Sequence, residues 1–160
     1  MAANIDDSAR ILDSNVGKSE IREYVTIHDS DIGDDCSIYE RTSIKKCGIS
    51  NFVDINAGSY VENANIGTNV QVGPNSSIVG VTHELSEKGR EFQNDLFEEI
   101  VLREQVFVGA GAVVGPGVEI GERSVVAAGA TVLKDVVPGK IVIGSPPTQQ
   151  VIELHEWMNR

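Results

Sequence analysis

The chain has 160 residues, which suits one domain and little more. Its formal net charge is −11 at pH 7, and so acidic a surface disfavours nucleic acid and anionic membranes as partners. Aromatic residues make up only 5% of the chain, so the core must be built from Val, Ile and Ala. Residues 1–10 lack the apolar segment of a secretory signal, and no apolar run of about 20 residues occurs. We therefore expect a cytoplasmic protein without a membrane span.

A repeat of six or five residues runs along the chain to Ile78 and resumes at Leu102. A branched aliphatic residue fills its first slot, and a small or β-branched residue follows four positions later in every six-residue interval. This period fits neither an amphipathic helix nor an alternating strand. We interpret each repeat as one short strand followed by one corner, with the aliphatic side chain pointing inward. Three repeats would close one triangular coil of a β-helix.

The spacing predicts about six stacked coils. Coils of this kind hydrogen-bond to one another at about 4.8 Å and bury their aliphatic residues against neighbouring coils. We expect the glycines that follow the aliphatic residues to permit an unusual backbone at the corners. The predicted coils cover residues 16–31, 32–48, 49–65, 66–82, 102–119 and 120–136.

Residues 79–101 interrupt the repeat and form a long insertion. An insertion in a rigid solenoid often carries function, because the coils supply an immobile frame for it. Its Phe92, Leu96 and Phe97 are apolar enough to pack on another surface. The sequence leaves two arrangements open: an arm that reaches over a neighbouring subunit, or a loop folded on its own coil.

His83 stands where the repeat gives way to the insertion. A neutral imidazole can accept a proton from an alcohol or amine near pH 7, so His83 is a candidate general base, although a lone histidine is more often structural. We expect His28 and His155 to lie at the surface. Cys36 and Cys47 have no metal-ligand spacing and are predicted to be small buried thiols, so no metal site is expected.

The repeats resemble those of the left-handed parallel β-helix, or hexapeptide-repeat, acyltransferases over residues 16–148. Residues 108–121 resemble that family's IGxxxxIxPGVxIG stretch, residues 125–136 its VVGAGSVVTKDV stretch, and residues 141–147 its terminal xxGxPA element. The left hand of the β-helix is implied by this resemblance alone. The predicted fold is thus all-β: a left-handed parallel β-helix of about six coils with one extended loop and a short C-terminal helix.

The predicted domain organisation is a β-helix acyltransferase domain over residues 1–148, with the insertion at 79–101, and a helical tail over 149–160. Apolar residues of the tail, from Val151 to Trp157, recur at helical spacing. We expect this tail to cap the open end of the solenoid or to pack on a neighbouring subunit.

Within the family, the chain resembles the galactoside, maltose and nodulation-type O-acetyltransferases and their xenobiotic relatives. Their loop histidine matches His83, which implies that His83 is the catalytic base. An asparagine that lines their site matches Asn56 only with a two-residue gap. The alternative for Asn56 is a side-chain amide that bonds its own corner backbone.

The same resemblance implies which residues bind the donor, acetyl-CoA. It implies that the Ala110 position bonds near the thioester and that the Ala128 position bonds the pantetheine arm. The Leu133 and Lys134 positions lie near the nucleotide end, where Lys134 can meet phosphate.

Some features depart from the galactoside-type pattern. Thr148 replaces a frequent basic residue, and Thr68 replaces an acidic residue implicated in sugar contact. The N-terminal helical segment of those sugar sites is also missing. The identity of the acceptor is therefore less well supported than the donor.

The resemblance implies an acetyl-CoA-dependent O- or N-acetyltransferase for a sugar, nucleotide sugar or other small hydroxyl or amine acceptor. It also implies direct transfer within a homotrimer whose sites lie between two subunits. A non-catalytic hexapeptide scaffold, and a succinyl or longer acyl donor, stay open. A γ-carbonic anhydrase-like protein is disfavoured, because that site needs three histidine ligands and no His-x4-His pattern occurs.

Overall fold

The chain folds into a three-sided solenoid of short parallel strands. The computed structural model describes residues 2–160, with the backbone alone at residues 91–93. Strands of the first four coils are β1 (Asn4–Ile5), β2 (Arg10–Leu12), β3 (Asn15–Val16), β4 (Glu20–Ile21), β5 (Thr26–His28), β6 (Asp31–Ile32), β7 (Ser37–Ile38), β8 (Ser43–Lys45), β9 (Gly48–Ile49), β10 (Asp54–Ile55), β11 (Tyr60–Glu62) and β12 (Ala64–Ile66).

The fifth coil contains the insertion, and two further coils and a tail follow it. Their elements are β13 (Gln71–Val72), β14 (Ser77–Val79), β15 (Val81–Ser86), β16 (Gly89–Phe97), β17 (Ile100–Leu102), β18 (Phe107–Val108), β19 (Val113–Val114), β20 (Glu119–Ile120), β21 (Val125–Val126), β22 (Thr131–Val132), β23 (Lys140–Ile143), β24 (Gln150–Glu153) and α1 (Leu154–Met158).

Each wall of the solenoid is one parallel sheet that takes one strand from each coil. Face 1 runs from β1 to β23, face 2 from β2 to β22, and face 3 from β3 to β20. Equivalent residues stack in register, so that Ile38, Ile55 and Val72 form one row on face 1. We call the corner between faces 1 and 2 the first edge, that between faces 2 and 3 the second edge, and that between faces 3 and 1 the third edge.

The number of coils is higher than the sequence predicted. Seven complete turns and an eighth strand on face 1, β23, replace the six expected coils. The additional first coil, from β1 to β3, has a neighbour on one side only, and its Ile5 is 41% exposed. This end coil pairs with the second coil through backbone hydrogen bonds, although it contributes little to the buried core.

The predicted inward slots form the core. In the aliphatic row of face 2, Ile27, Ile44 and Val61 have no solvent exposure. Beyond the first coil, the small corner residues are buried as well. Polar ones bond the backbone of neighbouring corners; the hydroxyl of Ser76, for example, lies 3.1 Å from the Gly109 carbonyl oxygen of the next coil. Both slots of the repeat are confirmed.

The expected role of the glycines that follow the aliphatic residues was wrong. Gly73 and Gly109 do not adopt a positive φ; instead, a Cβ on Gly109 would lie 2.5 Å from the Ala128 nitrogen of the next coil. Positive φ occurs later in the corner, at glycines such as Gly111 and at residues such as Asn75. Gly73 and Gly109 are therefore needed because the coils stack too closely for a side chain, and not because their backbone is left-handed.

The insertion is an antiparallel hairpin and not an irregular loop. Strands β15 and β16 pair from Val81 opposite Phe97 to Ser86 opposite Gly89, with a register shift between His83 and Leu85. Its base contacts its own chain, because the Lys46 Nζ lies 4.1 Å from the centre of the Phe97 ring. Leu96 and Phe97 are 41% and 51% exposed, and the side chain of Phe92 lies outside the described residues.

The C-terminal tail is only partly helical. Residues of β24 pair antiparallel with β23 and complete face 1, so the predicted helix is confined to Leu154–Met158. The apolar pattern from Val151 onward also fits a strand on the sheet edge, which the helical prediction overlooked. This five-residue helix, the one helix among residues 2–160, is far too short to cross a bilayer.

Candidate functional site

The predicted donor residues Ala110 and Ala128 lie together on the first edge. They occupy the same corner position in the sixth and seventh coils, and the Gly129 N–H donates to the Ala110 carbonyl at 2.9 Å. Both alanines are exposed. Within the described residues, the N–H groups of Ala110 and Ala128 have no acceptor. This edge therefore offers a corner with small side chains and two main-chain donors that have no acceptor.

Asn56 lies on the same edge, two coils below Ala110. It is half-buried, and its side-chain Nδ2 donates to the Val72 carbonyl at 2.9 Å. The amide thus bonds the backbone of the coil above and not its own corner, which was the alternative to a ligand contact. The side-chain oxygen of Asn56 is the group that remains to contact an acceptor substrate.

His83 lies on the second edge, at the base of the hairpin. Strand β14 ends at Val79 on face 2, and β15 leaves the coil two residues later. Leu133 and Lys134 occupy the same edge two coils above, where both are exposed. They line a cavity of about 360 Å³ together with Pro146, Pro147 and Gln149.

The width of face 2 therefore separates the two groups of predicted site residues within one chain. A strand and its flanking corners span roughly 15–20 Å at about 3.3 Å per residue. The candidate base and Lys134 are on one side of this face, and Ala110, Ala128 and Asn56 are on the other. Thr68 lies on the third edge, apart from both.

Asp95 is a neighbour of the candidate base that the sequence analysis missed. It lies directly opposite His83 in the hairpin, and its Oδ1 is 2.8 Å from the His83 Nδ1. The Nδ1 atom is inaccessible to solvent and makes no other hydrogen bond, although the contact with Asp95 is not linear enough to count as one.

The exposed part of the imidazole is the side that carries Nε2. The His83 side chain is 42% exposed while its Nδ1 is enclosed. On the opposite face of the hairpin, the Asn94 amide donates to the Glu84 carboxylate at 3.0 Å. The hairpin thus presents a carboxylate–imidazole pair on one face and a separate polar pair on the other.

The sequence carried no sufficient signal for Asp95. Glu87 and Lys88 form the turn that pairs Ser86 with Gly89, and an unbroken register from that turn would place position 92 opposite His83. The register shift between His83 and Leu85 brings Asp95 to that place instead. Periodicity does not specify this shift, so recognition of a hairpin alone would not have identified the carboxylate.

The predicted exposure or burial of the two other histidines and the two cysteines can be compared with the structure. His155 is exposed as expected, whereas His28 is half-buried and its Nε2 is enclosed without a partner. Cys36 and Cys47 are buried free thiols, and burial raises the pKa of Cys47 to about 11. Across the described part of the chain, no cluster of His, Cys, Asp and Glu side chains is arranged to hold a metal ion.

The fold and the repeat together define a left-handed hexapeptide β-helix. The family model described as bacterial transferase hexapeptide (six repeats) matches residues 99–134, which include the Ala110 corner and Lys134. The chain therefore carries the bacterial transferase hexapeptide and is similar to acetyltransferases of this kind.

Two curated relatives show this similarity. A candidate acetyltransferase of Schizosaccharomyces pombe is 43% identical over 81 residues, which are 51% of this chain and 39% of the relative. Galactoside O-acetyltransferase of Lactococcus lactis subsp. lactis is 37% identical over 81 residues, with the same shares of 51% and 39%. The chain thus spans about two fifths of the length of these relatives.

A solved structure shows the fold over nearly the whole chain. A mutant of AntD, an N-acyltransferase from Bacillus cereus in complex with dTDP-4-amino-4,6-dideoxyglucose and coenzyme A, matches with a TM-score of 0.63. The sequence identity is 20%, and the match covers 97% of this chain and 84% of that one.

Proposed function

We propose that this protein is an acetyltransferase that uses acetyl-CoA and acts on a hydroxyl or amine of a sugar-like acceptor. The observation that carries the proposal is the His83–Asp95 pair, held at 2.8 Å on a hairpin that leaves the coil beneath the hexapeptide segment. An enclosed Nδ1 next to a carboxylate, with Nε2 toward solvent, is the arrangement that a general base needs.

In the proposed reaction, Asp95 holds the proton on Nδ1 and so leaves the lone pair on Nε2. Nε2 removes the proton from the acceptor hydroxyl or amine as that group attacks the thioester carbonyl. A main-chain N–H at the Ala110 corner stabilises the tetrahedral oxyanion, an effect typically worth about 3–4 kcal/mol. The intermediate then collapses, the carbon–sulfur bond breaks, and the imidazolium returns the proton to the CoA thiolate.

No covalent acyl-enzyme is needed for this transfer. Cys36 and Cys47 are the only cysteines in the sequence, and both are buried. Burial also raises the pKa of both thiols, which opposes formation of the thiolate nucleophile. Direct transfer in a ternary complex is therefore favoured.

We further propose a homotrimer in which each site lies between two copies. The base is on the second edge and the Ala110–Ala128 corner is on the first edge, on either side of face 2. Three prisms placed around a common axis can bring the second edge of one copy to the first edge of the next. Lys134 would then face the donor edge of its neighbour, where its ammonium group can meet phosphate.

A sugar-like acceptor is supported by the relatives and not by a contact within this chain. A galactoside O-acetyltransferase is among them, and AntD was solved with an amino-sugar nucleotide. Because the Asn56 amide nitrogen already donates to the Val72 carbonyl, we propose that Asn56 contacts the acceptor through its side-chain oxygen. The cytoplasmic location and the absence of nucleic-acid and membrane partners stay predictions.

The decisive experiment combines donor binding with transfer. Calorimetry with CoA should show saturable binding, and acetyl-CoA should acetylate at least one member of a panel of sugars, amino sugars and their nucleotides. His83→Ala should keep CoA binding and lose about 10²–10⁴-fold in transfer rate. An unchanged transfer rate in His83→Ala would remove the assigned base, and absence of CoA binding at millimolar concentration would favour the non-catalytic scaffold.

A further inference from the structure

The hairpin leaves the solenoid through a narrow passage on the second edge. Its outgoing strand passes Gly80, between β14 and β15, and its returning strand passes Glu98, between β16 and β17. The Glu98 N–H donates to the Gly80 carbonyl at 2.9 Å and so joins the two strands. The Gly80 N–H in turn donates to the Glu62 carbonyl of the coil below at 2.8 Å. We call Gly80 and Glu98 the hairpin neck.

One residue of the coil below, Asn63, bonds the chain on both sides of the neck. Its side-chain Nδ2 donates to the Gly80 carbonyl at 2.8 Å, where the outgoing strand begins. Its own carbonyl accepts from the Ile100 N–H at 3.0 Å, where the chain rejoins the coil. The packing at this junction is tight, because a Cβ on Gly80 would lie 2.3 Å from the Asn63 carbonyl oxygen. The direction in which the hairpin leaves the coil is thus tied to a residue of the solenoid.

The coils further down show what asparagine adds at this corner. Asp13, Asp29 and Lys46 occupy the equivalent position in the first three coils, and all of them share its positive φ. An ionised carboxylate has no proton to donate to a carbonyl above it. The Lys46 side chain reaches the hairpin by another route, because its Nζ lies 4.1 Å from the centre of the Phe97 ring. Asn63 combines the left-handed backbone of this corner with an amide donor.

Contacts at the neck are connected to the proposed base through one face of the hairpin. Phe97 is directly opposite Val81, and Asp95 is directly opposite His83, two residues further along each strand. Side chains two residues apart on a strand point to the same face, so these two cross-strand pairs are neighbours. Lys46 contacts the inner pair through the Phe97 ring and lies on the solenoid itself.

We propose that Asn63 and Lys46 are positioning residues for His83. This inference rests on the proposed function, in which His83 is the base. A two-stranded hairpin is only marginally stable by itself in water, so its orientation depends on what holds its base. Asn63 fixes the chain where it leaves and rejoins the coil, and Lys46 holds the inner cross-strand pair. The solenoid thereby sets the place of the imidazole through contacts made at the neck.

Asn63→Gly tests the first of these contacts, because glycine keeps the positive φ and loses the amide. A shift of about 1 Å in a catalytic group can cost about 100-fold, so kcat should fall by about 10–100-fold at an unchanged KM for acetyl-CoA. The matched control is Asn69→Gly. Asn69 lies on the third edge of the same coil, is exposed and has a φ of 59°. This control should keep full activity, and circular dichroism should show the β-helix in both variants.

The tautomer of His83 is a readout that does not depend on catalysis. Proton–nitrogen correlation spectra of the neutral imidazole should place the proton on Nδ1 in the unaltered protein. Asn63→Gly should give a mixture of both tautomers, because the hairpin no longer holds the ring against Asp95. Lys46→Gln should lower kcat by about 2–5-fold, and Lys46→Arg should restore it, because arginine keeps a cation over the Phe97 ring.

Two outcomes would overturn the inference. One is an unchanged kcat together with an unchanged tautomer in Asn63→Gly. The other is an equal loss in Asn63→Gly and Asn69→Gly, which would show that the whole coil has loosened. If transfer does not depend on His83, the proposed function fails, and the tautomer alone then decides the role of the neck: a mixture in Asn63→Gly supports it, and a single tautomer in both proteins removes it.

Discussion

At the residue scale, the proposed reaction depends on the cross-strand pair of His83 and Asp95. Neither residue is buried, and their side chains are 42% and 48% exposed, so the contact contributes little to stability. Its effect is positional, because a carboxylate at Nδ1 fixes the tautomer that leaves Nε2 as the acceptor of a proton.

Replacement of Asp95 therefore tests a positioning residue. Asp95→Asn should lower kcat by about 10–100-fold, because general-base catalysis is worth about 10²–10⁴-fold and only part of it depends on orientation. The KM for acetyl-CoA should stay the same. Glu84→Gln, on the other face of the hairpin, is the matched control and should keep full activity. Equal losses in both variants would show that the hairpin, and not the pair, is what matters.

The buried thiol of Cys47 is a second feature at this scale. Its side chain is 5% exposed, its Sγ lies 3.0 Å from the Lys45 carbonyl, and burial raises its pKa from 9.0 to about 11. The folded state therefore holds the proton at a pH at which the unfolded chain has released it.

This difference predicts a loss of stability in alkali. Below pH 9 the thiol is protonated in both states and has no effect, whereas between pH 9 and pH 11 the unfolded state alone ionises. Ionisation of Cys47 in the unfolded state should lower the free energy of unfolding there by up to about 1.4 kcal/mol per pH unit, so Cys47→Ala, which retains the buried Cys36, should show a shallower fall than the unaltered protein. Denaturant titrations at pH 8, 9 and 10 measure it, and parallel slopes for the two proteins would contradict the prediction.

At the scale of the elements, the corners decide how closely the coils can stack. Gly109 has ordinary φ but no room for a side chain, whereas Gly111 has a φ of 67° and nothing within 4 Å of a Cβ. Two glycines in one corner are thus needed for different reasons.

These reasons predict unequal effects of the same change. Gly109→Ala should cost about 1–3 kcal/mol, because its Cβ meets the backbone of the next coil, which cannot move without breaking the ladder. Gly111→Ala should cost about 1 kcal/mol for a left-handed backbone, which Asn75 already adopts in the coil below. Chemical denaturation compares the two; a larger loss at Gly111 would reverse the assigned roles.

For the whole molecule, the three-sided rod divides the residues of the proposed site between two edges. His83 and the Ala110–Ala128 corner are fixed on either side of face 2, and the stacked coils do not let them approach each other. Activity should therefore depend on contact between copies.

Mixing two inactive variants tests this. His83→Ala removes the base, and Ala110→Trp blocks the donor corner. Unfolded together and refolded at equal concentrations, they should recover about a quarter of the unaltered activity, because about one site in four then pairs an intact base with an intact corner. Each variant refolded alone is the control. No recovery, with mixed oligomers confirmed by native mass spectrometry, would place the whole site within one copy.

Sequence alone determined the β-helix, its core rows and the place of the insertion. Those features are local and repeated: Ile38, Ile55 and Val72 each face inward for the same reason, so one rule read along the chain gives all of them. The tertiary structure decided what depends on a particular partner. Asp95 meets His83 only through the register of the hairpin, Gly109 is required by the Ala128 backbone one coil away, and residues 150–153 form a strand because β23 offers a free edge. Such partners are set by contacts between segments, which periodicity does not specify.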